Sequence, residues 1–268
     1  MNTSPVSTLL PEPGAVTTGH SAGTALMIHA REAVSEWRRA WRTPMFVLPS
    51  LLFPAMFYLF FGILFNRGPG AAAYLLTSYA TFGVIGPALF GFGVSVAIDR
   101  EHGLLALKRV VPMPLSAYFS AKIIMSLIFA TLIIGILYSL AYTLGEVRLP
   151  ISQWLGLTLV LTTGILPFCA LGLAIGINVN AQAAPAVVNL VYLPMSFLSG
   201  LWIPVTMLPQ WLQGLAWILP PYHLSQLTLK VIGQSQGHPA WQHIAALAVF
   251  TLVFLLLAGR GYRRISDR

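Results

Sequence analysis

Charged side chains are scarce in this sequence. Asp, Glu, Lys and Arg make up 8% of the 268 residues, whereas 57% of the residues are hydrophobic. About a quarter of an ordinary soluble domain is charged, so a water-soluble fold of this length would lack the polar surface that it needs. The composition therefore predicts a polytopic membrane protein. The net charge of +8 is explained by the orientation of membrane helices, and no nucleic-acid partner is inferred.

Cysteine and intramembrane charge are also nearly absent. The single cysteine, Cys169, cannot form an internal disulfide, and we interpret it as a packing residue. No acidic residue lies well inside a predicted span, and Lys122, near the start of one, is expected to snorkel to the interface. Proton-coupled carriers usually need a protonatable side chain within the membrane. The sequence therefore offers no evident site for proton coupling, while sodium coupling through uncharged oxygens stays open.

The sequence has no motif for ATP hydrolysis. A Walker A motif needs a lysine that follows glycine and precedes Ser or Thr, and none of the three lysines, Lys108, Lys122 and Lys230, does so. If the protein uses ATP, another subunit must bind it. The chain itself is therefore predicted to bind no cofactor and to be no enzyme.

Other catalytic and metal sites are weakly supported. Gly93–Ser95 faintly resembles an intramembrane serine protease motif, but the predicted topology separates Ser95 from His243 by almost a bilayer, and such a serine needs a base within reach. His223, His238 and His243 match no standard metal spacing. We interpret them as separate surface histidines, and no catalytic residue or metal ligand is assigned.

Six apolar stretches have the length of about 20 residues that a helix needs to cross a bilayer. They lie near residues 45–65, 72–98, 117–144, 154–177, 184–206 and 242–260. Twelve of the 15 Lys and Arg residues fall on one side of this map and three on the other. The excess predicts that both termini and the loop after span two are cytoplasmic.

The regions outside the spans have distinct compositions. Residues 1–23 are rich in Pro, Ser, Thr and Gly, which predicts a disordered cytoplasmic tail. Residues 206–224 are apolar but interrupted by prolines, which predicts a re-entrant helical hairpin in the outer leaflet between spans five and six. Its candidate residues are Pro204, Pro209, Trp211 and Trp217, and the tryptophans, with Trp202 and Tyr222, suit an interface.

Residues 24–43, directly before span one, have a helical pattern with two different faces. Apolar residues recur at helical spacing on one face, and Arg31, Ser35, Arg38, Arg39 and Arg42 fall on the other. The pattern predicts an amphipathic helix on the cytoplasmic membrane surface, in contact with lipid. A helix that binds a cytosolic partner is the alternative.

The loop after span two concentrates charge in a chain that has little. Its candidate residues are Asp99, Arg100, Glu101, Gly103, Leu104, Leu107, Lys108 and Arg109, before prolines that end the helix. A solvated connector is the simple interpretation. Since the chain has no ATP-binding motif of its own, we favour the interpretation that this loop docks on a separate cytosolic protein. Leu104 and Leu107 would then enter a groove on that protein.

Uncharged polar residues mark one side of span five and its end: Asn189, Tyr192, Ser196, Ser199 and Gly200. Two interpretations are equally supported, hydrogen bonding between helices and the lining of a transport pathway. In span four, Gly172 and Gly176 predict a close approach of two helices.

Over roughly residues 25–265 the sequence resembles the permease subunits of ABC-2 type ATP-driven exporters. The amphipathic helix before span one is the first shared feature. The second is the loop REHGLLALKRVVPMP, in which Glu101, Gly103, Leu107 and Lys108 match the family pattern. The third is the segment from Ser199 and Gly200 through Pro204 and Pro209 to a proline-rich turn.

The resemblance implies a mechanism and partners. Two permease copies would pair in the bacterial inner membrane, each on an ATP-binding subunit that holds ATP and Mg²⁺, with residues 99–110 as the coupling helix. Spans one and five would meet near the dimer axis, and the outer hairpin would help to form the exit. Amphiphilic small molecules such as drugs are the favoured substrates. Lipid or polysaccharide export and a non-transporting assembly factor are the alternatives, and a heterodimer stays open.

Overall fold

The computed structural model describes residues 22–65, 68, 70–104, 107, 115–235 and 237–266, and within these ranges the chain is helical and has no strand. The described α-helices are α1 (Ala22–Trp41), α2 (Pro44–Phe57), α3 (Ala71–Glu101), α4 (Leu115–Thr143), α5 (Ile151–Thr163), α6 (Leu166–Asn178), α7 (Ala184–Leu198), α8 (Gln210–Ala216), α9 (Pro220–Val231) and α10 (Ala240–Ser266). A π-helical stretch, Tyr58–Leu64, extends α2. The predicted all-α class is confirmed. Almost all of the predicted tail, residues 1–23, lies outside the described ranges.

Five helical segments in the described part of the chain are long and apolar enough to cross a membrane: Pro44–Leu64, Ala71–Glu101, Ser116–Thr143, Ile151–Asn178 and Ala240–Arg263. They coincide with five of the six predicted spans. The predicted fifth span, residues 184–206, contains the 15-residue helix α7, which ends before Gly200 turns the backbone with a φ of 80°. A helix of that length rises about 22 Å, less than the hydrocarbon core of about 30 Å. The predicted count of six spans is therefore not confirmed.

Helix α3 is the centre of the fold. Every residue from Leu76 to Leu89 is buried, as expected of a helix that is apolar all round. Helices α2, α4, α6, α7 and α9 all pack against it. The close approach predicted for span four is found here, because a Cβ at Gly172 or Gly176 would lie 2.8 Å from a backbone oxygen of α3.

Helix α1 packs along the sides of two candidate spans. Trp37 and Ala40 of α1 contact a small apolar cluster formed by Val47 of α2 with Met125 and Phe129 of α4. Since α1 places Trp37 and Ala40 against these helices, the opposite side of α1 is left outward. That outward side carries Arg31, Arg38 and Arg42, all exposed.

The proline-rich segment after α7 divides into two parts that differ in burial. Helix α8 begins after Pro209, and its Trp211 is exposed. Helix α9 begins at Pro220 and is buried from there to Leu229. The segment contains two short helices, but the predicted re-entrant hairpin in the outer leaflet is not confirmed.

Candidate functional site: a charged cluster beneath the predicted docking loop

The carboxylate of Asp99, near the C-terminal end of α3, is buried at the centre of a set of charges whose outer member, Arg39, is 43% exposed. The Asp99 side chain is 1% exposed. Arg39 Nη1 of α1 donates to Oδ1 at 2.6 Å, and the Tyr118 hydroxyl of α4 donates to Oδ2 at 2.7 Å. Lys122 Nζ of α4 lies 3.3 Å from Oδ2. One carboxylate therefore joins three helices.

Lys122 makes the second set of contacts. Its side chain is 2% exposed, and its ammonium group donates to Glu36 Oε2 of α1 at 3.2 Å and to Ser95 Oγ of α3 at 2.7 Å. The prediction that Lys122 snorkels to the interface is wrong, because two carboxylates within the chain hold its charge.

We call Glu36, Arg39, Asp99 and Lys122 the charged cluster. Its two acids and two bases cancel, which is the condition under which ions can be buried, because an unpaired buried charge carries a large desolvation penalty. Burial disfavours the charged form of Arg39, but the hydrogen bond and charge of Asp99, with Glu36 adding to them, outweigh this effect and raise the arginine pKa above its usual value. The guanidinium of Arg39 is therefore held in its charged form.

Arg100 and Glu101 attach the end of α3 to a further part of the chain. The Arg100 guanidinium donates to the carbonyl of Ile177 and, at 3.0 Å, to that of Val179. Both carbonyls lie at the C-terminal end of α6, where helices leave acceptors without intrahelical partners. Glu101 Oε2 accepts from the Ala181 amide at 2.7 Å, so the turn between α6 and α7 is bonded to α3.

The predicted docking residues therefore fall into an inner and an outer group. Asp99 and Arg100 point inward and bond to other helices of the same chain. Gly103 adopts a φ of 72° in open space, and Leu107 is 59% exposed. Leu104 is half-buried, and Lys108 and Arg109 lie outside the described residues.

The polar candidates on α7 also point in different directions. Asn189 is exposed, whereas Tyr192 is buried and its hydroxyl donates to the Phe82 carbonyl of α3 at 2.8 Å. Ser196 and Ser199 are buried, and their hydroxyl oxygens have no hydrogen-bond partner among the described residues. The interhelical bond predicted as one alternative is present at Tyr192.

A surface groove between α2 and α7 was not recognised in the sequence. Its volume is about 370 Å³, and apolar side chains line it. Six of the nine lining residues are phenylalanines, four of them on α2 and its π-helical extension, such as Phe53, Phe57 and Phe61, and Leu193 of α7 and Trp202 also line it. The indole N–H of Trp202 is buried and finds no acceptor in the part of the chain described. We call this surface the aromatic groove.

Two of the three predicted surface histidines are buried together. His223 of α9 and His243 of α10 are 1% and 0% exposed, and their Nδ1 atoms are 2.9 Å apart. The interpretation of separate surface histidines is therefore wrong for this pair. Trp217 stacks on His243, and its carbonyl lies 3.0 Å from His223 Nε2.

The hydrogen bonds of the histidine pair determine where its protons are. A carbonyl only accepts, so His223 Nε2 donates to Trp217, and a neutral His223 then accepts at Nδ1. His243 must donate from its own Nδ1, which leaves its buried Nε2 without a proton, and that atom has no partner among the described residues. Burial lowers the pKa of His223, and the bond to the Trp217 carbonyl offsets this only in part.

The charged cluster lies at the C-terminal end of α3, whereas the histidine pair joins α9 to α10. At the other end of α3, Gln234, which follows α9, donates to the Gly70 carbonyl just before the first residue of α3. The cluster could have been suspected from Lys122, since a lysine in an apolar span requires a partner. Nothing local in the sequence indicated which residues those partners are.

Comparison with known proteins adds to this geometry. Residues 33–232 match the sequence family described as ABC-2 type transporter. The chain is 28% identical to the putative transport permease YvfS of Bacillus subtilis (strain 168) over 232 residues, which cover 85% of this chain and 94% of that protein. It is 30% identical to the probable multidrug ABC transporter permease YbhR of Escherichia coli (strain K12) over 163 residues, which cover 59% of this chain and 43% of that protein.

Proposed function

Because this chain belongs to the ABC-2 type transporter family, as its motifs predict, we propose that it is the membrane-spanning subunit of an ATP-driven exporter. A separate ATP-binding subunit binds ATP and Mg²⁺ and supplies the energy. Two copies of the chain form the pathway in a bacterial inner membrane, with both termini in the cytoplasm. The relative YvfS, named a putative transport permease, matches this chain over most of both lengths.

One observation carries the proposed coupling: the exposed end of α3 is bonded at its base to three other parts of the chain. Asp99 connects it to α1 and α4, while Arg100 and Glu101 connect it to the turn between α6 and α7. A displacement of the exposed residues Gly103 and Leu107 is thus transmitted to α1 and α4, and to α6 and α7 through the turn between them. We call residues 101–107 the coupling segment.

The aromatic groove supports two parts of the proposal: that two copies of the chain pair, and that the substrates are amphiphilic. It lies on α2 and α7, where the exposed Leu190 and Phe61 leave an apolar surface. Rings bind the apolar part of an amphiphile, and the Trp202 indole N–H offers a donor to a polar group. We therefore propose export of amphiphilic small molecules, and the name of YbhR, a probable multidrug permease, agrees. The short α7 and the residues after it form the sixth crossing.

The test of coupling uses Leu107→Asp, because this exposed side chain has little role within the chain itself. We expect the variant to insert normally but to lose binding to the ATP-binding subunit, since losing a buried leucine contact costs about 1.5–3 kcal/mol. Co-purification and ATP-dependent efflux are the measurements. Leu144→Asp, at an equally exposed leucine, is the control and should retain both.

If Leu107→Asp binds the subunit and exports as well as Leu144→Asp does, the assignment of the coupling segment is wrong. The substrate class is tested separately, with labelled drugs, lipids and oligosaccharides supplied to inverted vesicles that contain the complex. Transport of lipid or oligosaccharide alone would replace the proposed class, and an ATPase-free complex with no transport would indicate an assembly factor.

A further inference from the structure

The outward side of α1 forms a second groove, which is basic. Met27, Arg31, Val34, Arg38 and Arg42 lie three or four residues apart, so they share one side of a helix with 3.6 residues per turn. They line a surface cavity of about 770 Å³. We call these five residues the arginine groove.

The three arginines of the groove carry charge that nothing in the described chain neutralises. No ion pair joins Arg31, Arg38 or Arg42 to a carboxylate among the described residues, whereas the nearby Arg39 is paired with Asp99. Glu36, on the same helix, is used by Lys122. The arginine groove therefore combines a concentrated positive charge with the apolar side chains of Met27 and Val34.

The position of α1 indicates which surroundings the groove faces. The opposite side of the helix packs against α2 and α4, so the groove faces away from these two helices. Helix α2 begins two residues after Arg42, and its Met45 is 90% exposed, followed by exposed Leu48 and Leu52. Those side chains require acyl chains around them, so the arginines lie where acyl chains give way to headgroups.

We propose that the arginine groove binds the phosphate of an anionic phospholipid in the leaflet next to α1. Guanidinium groups bind phosphate oxygens through paired, charge-assisted hydrogen bonds, and Met27 and Val34 contact the first carbons of the acyl chains. A cytosolic protein fits this surface less well, because exposed apolar side chains of a candidate span, beginning with Met45, follow Arg42 directly in the chain. In the proposed orientation this leaflet is the cytoplasmic one.

The experiment measures lipid retention by the full-length chain in detergent. Native mass spectrometry counts phosphatidylglycerol and phosphatidylcholine bound after addition of an equal mixture of the two. Because a hydrogen bond to a charged group contributes roughly tenfold or more to affinity, Arg38→Gln with Arg42→Gln should weaken phosphatidylglycerol retention at least about tenfold and leave phosphatidylcholine unchanged. The control is Arg260→Gln with Arg263→Gln, which removes the same charge from the exposed end of α10.

Two results would overturn the proposal. If both double variants lose phosphatidylglycerol equally, the attraction is a general effect of positive charge and there is no site on α1. If the α1 variant keeps phosphatidylglycerol but no longer co-purifies with the ATP-binding subunit, the groove is a protein interface. A variant that does not fold would lose phosphatidylcholine as well as phosphatidylglycerol. In that case Arg38→Lys with Arg42→Lys, which keeps the charge, is the second variant. It must retain phosphatidylglycerol, or the proposed site is wrong.

Discussion

Two polar clusters of the chain are held together by different kinds of interaction. At the C-terminal end of α3 four charged side chains cancel one another, and α1 and α4 are joined to Asp99. Between α9 and α10 the neutral histidine pair packs with Trp217, which directly follows α8. A buried ion network resists the loss of any member, whereas neutral hydrogen bonds contribute less. The charged cluster is therefore suited to transmit a displacement from one helix to another, and the histidine pair is suited to separate at lower cost.

The largest expected effect is at the charged cluster. Asp99→Asn leaves Arg39 and Lys122 with one carboxylate, that of Glu36. Because removing one partner of a buried ion network costs about 3–5 kcal/mol, we expect a large fall in the apparent melting temperature in detergent. Glu146→Gln, which neutralises an exposed carboxylate, is the control and should leave the melting temperature unchanged.

A double variant separates charge balance from packing. Asp99→Asn with Lys122→Met leaves Glu36 and Arg39 as one balanced pair, so it should be more stable than the sum of the two single costs predicts. Melting temperatures of the three variants give this coupling. Strictly additive costs would mean that Asp99 and Lys122 do not act as members of one network.

The histidine pair should respond to pH, unlike the charged cluster. When both histidines are protonated, both Nδ1 atoms are donors, so the bond between them is lost. Burial lowers the pKa of His223, so stability falls as pH drops through about 6.5, the ordinary histidine pKa. We expect a loss of about 1 kcal/mol between about pH 7.5 and about pH 5.

Melting curves at the two pH values measure this effect. His243→Phe keeps the ring but removes the bond, so it should show a smaller change with pH, whereas His102→Phe, at an exposed histidine, should behave like the unmodified protein. An unmodified protein whose stability is as insensitive to pH as His243→Phe would contradict the proton positions inferred for the pair.

The smallest effect is expected at an exposed attachment. Glu101→Ala removes the bond to the Ala181 amide, and because the carboxylate is exposed the stability should change by less than about 1 kcal/mol. Coupled ATP hydrolysis should fall more than stability does, since this bond joins the coupling segment to the turn before α7. A variant with full coupling would remove Glu101 from the proposed path.

The sequence was sufficient for the class of protein and for most helices. Apolar length predicted five candidate spans within a few residues, and a helix, α1, is present where one was predicted before span one, while its position on the membrane surface stays a prediction. Gly172 and Gly176 correctly indicated a close helix approach. These features depend on residues a few positions apart, whose relation a helix fixes locally.

Features that depend on distant residues could not be predicted. Arg39 and Asp99 are 60 positions apart, and Glu36 and Lys122 are 86 apart, so no local pattern pairs them. The histidine pair depends on how the chain between α9 and α10 brings these two helices side by side. The length of α7 was overestimated because apolar composition continues beyond Leu198, although the backbone turns at Gly200.

The central claim is that this chain moves solute only when another subunit hydrolyses ATP. Reconstitution of the purified chain in liposomes, with and without the ATP-binding subunit, tests it most directly through the uptake of a labelled amphiphile. The account predicts uphill transport with the subunit and ATP, and none from a proton or sodium gradient alone. Uphill movement driven by an ion gradient in liposomes without the subunit would contradict it.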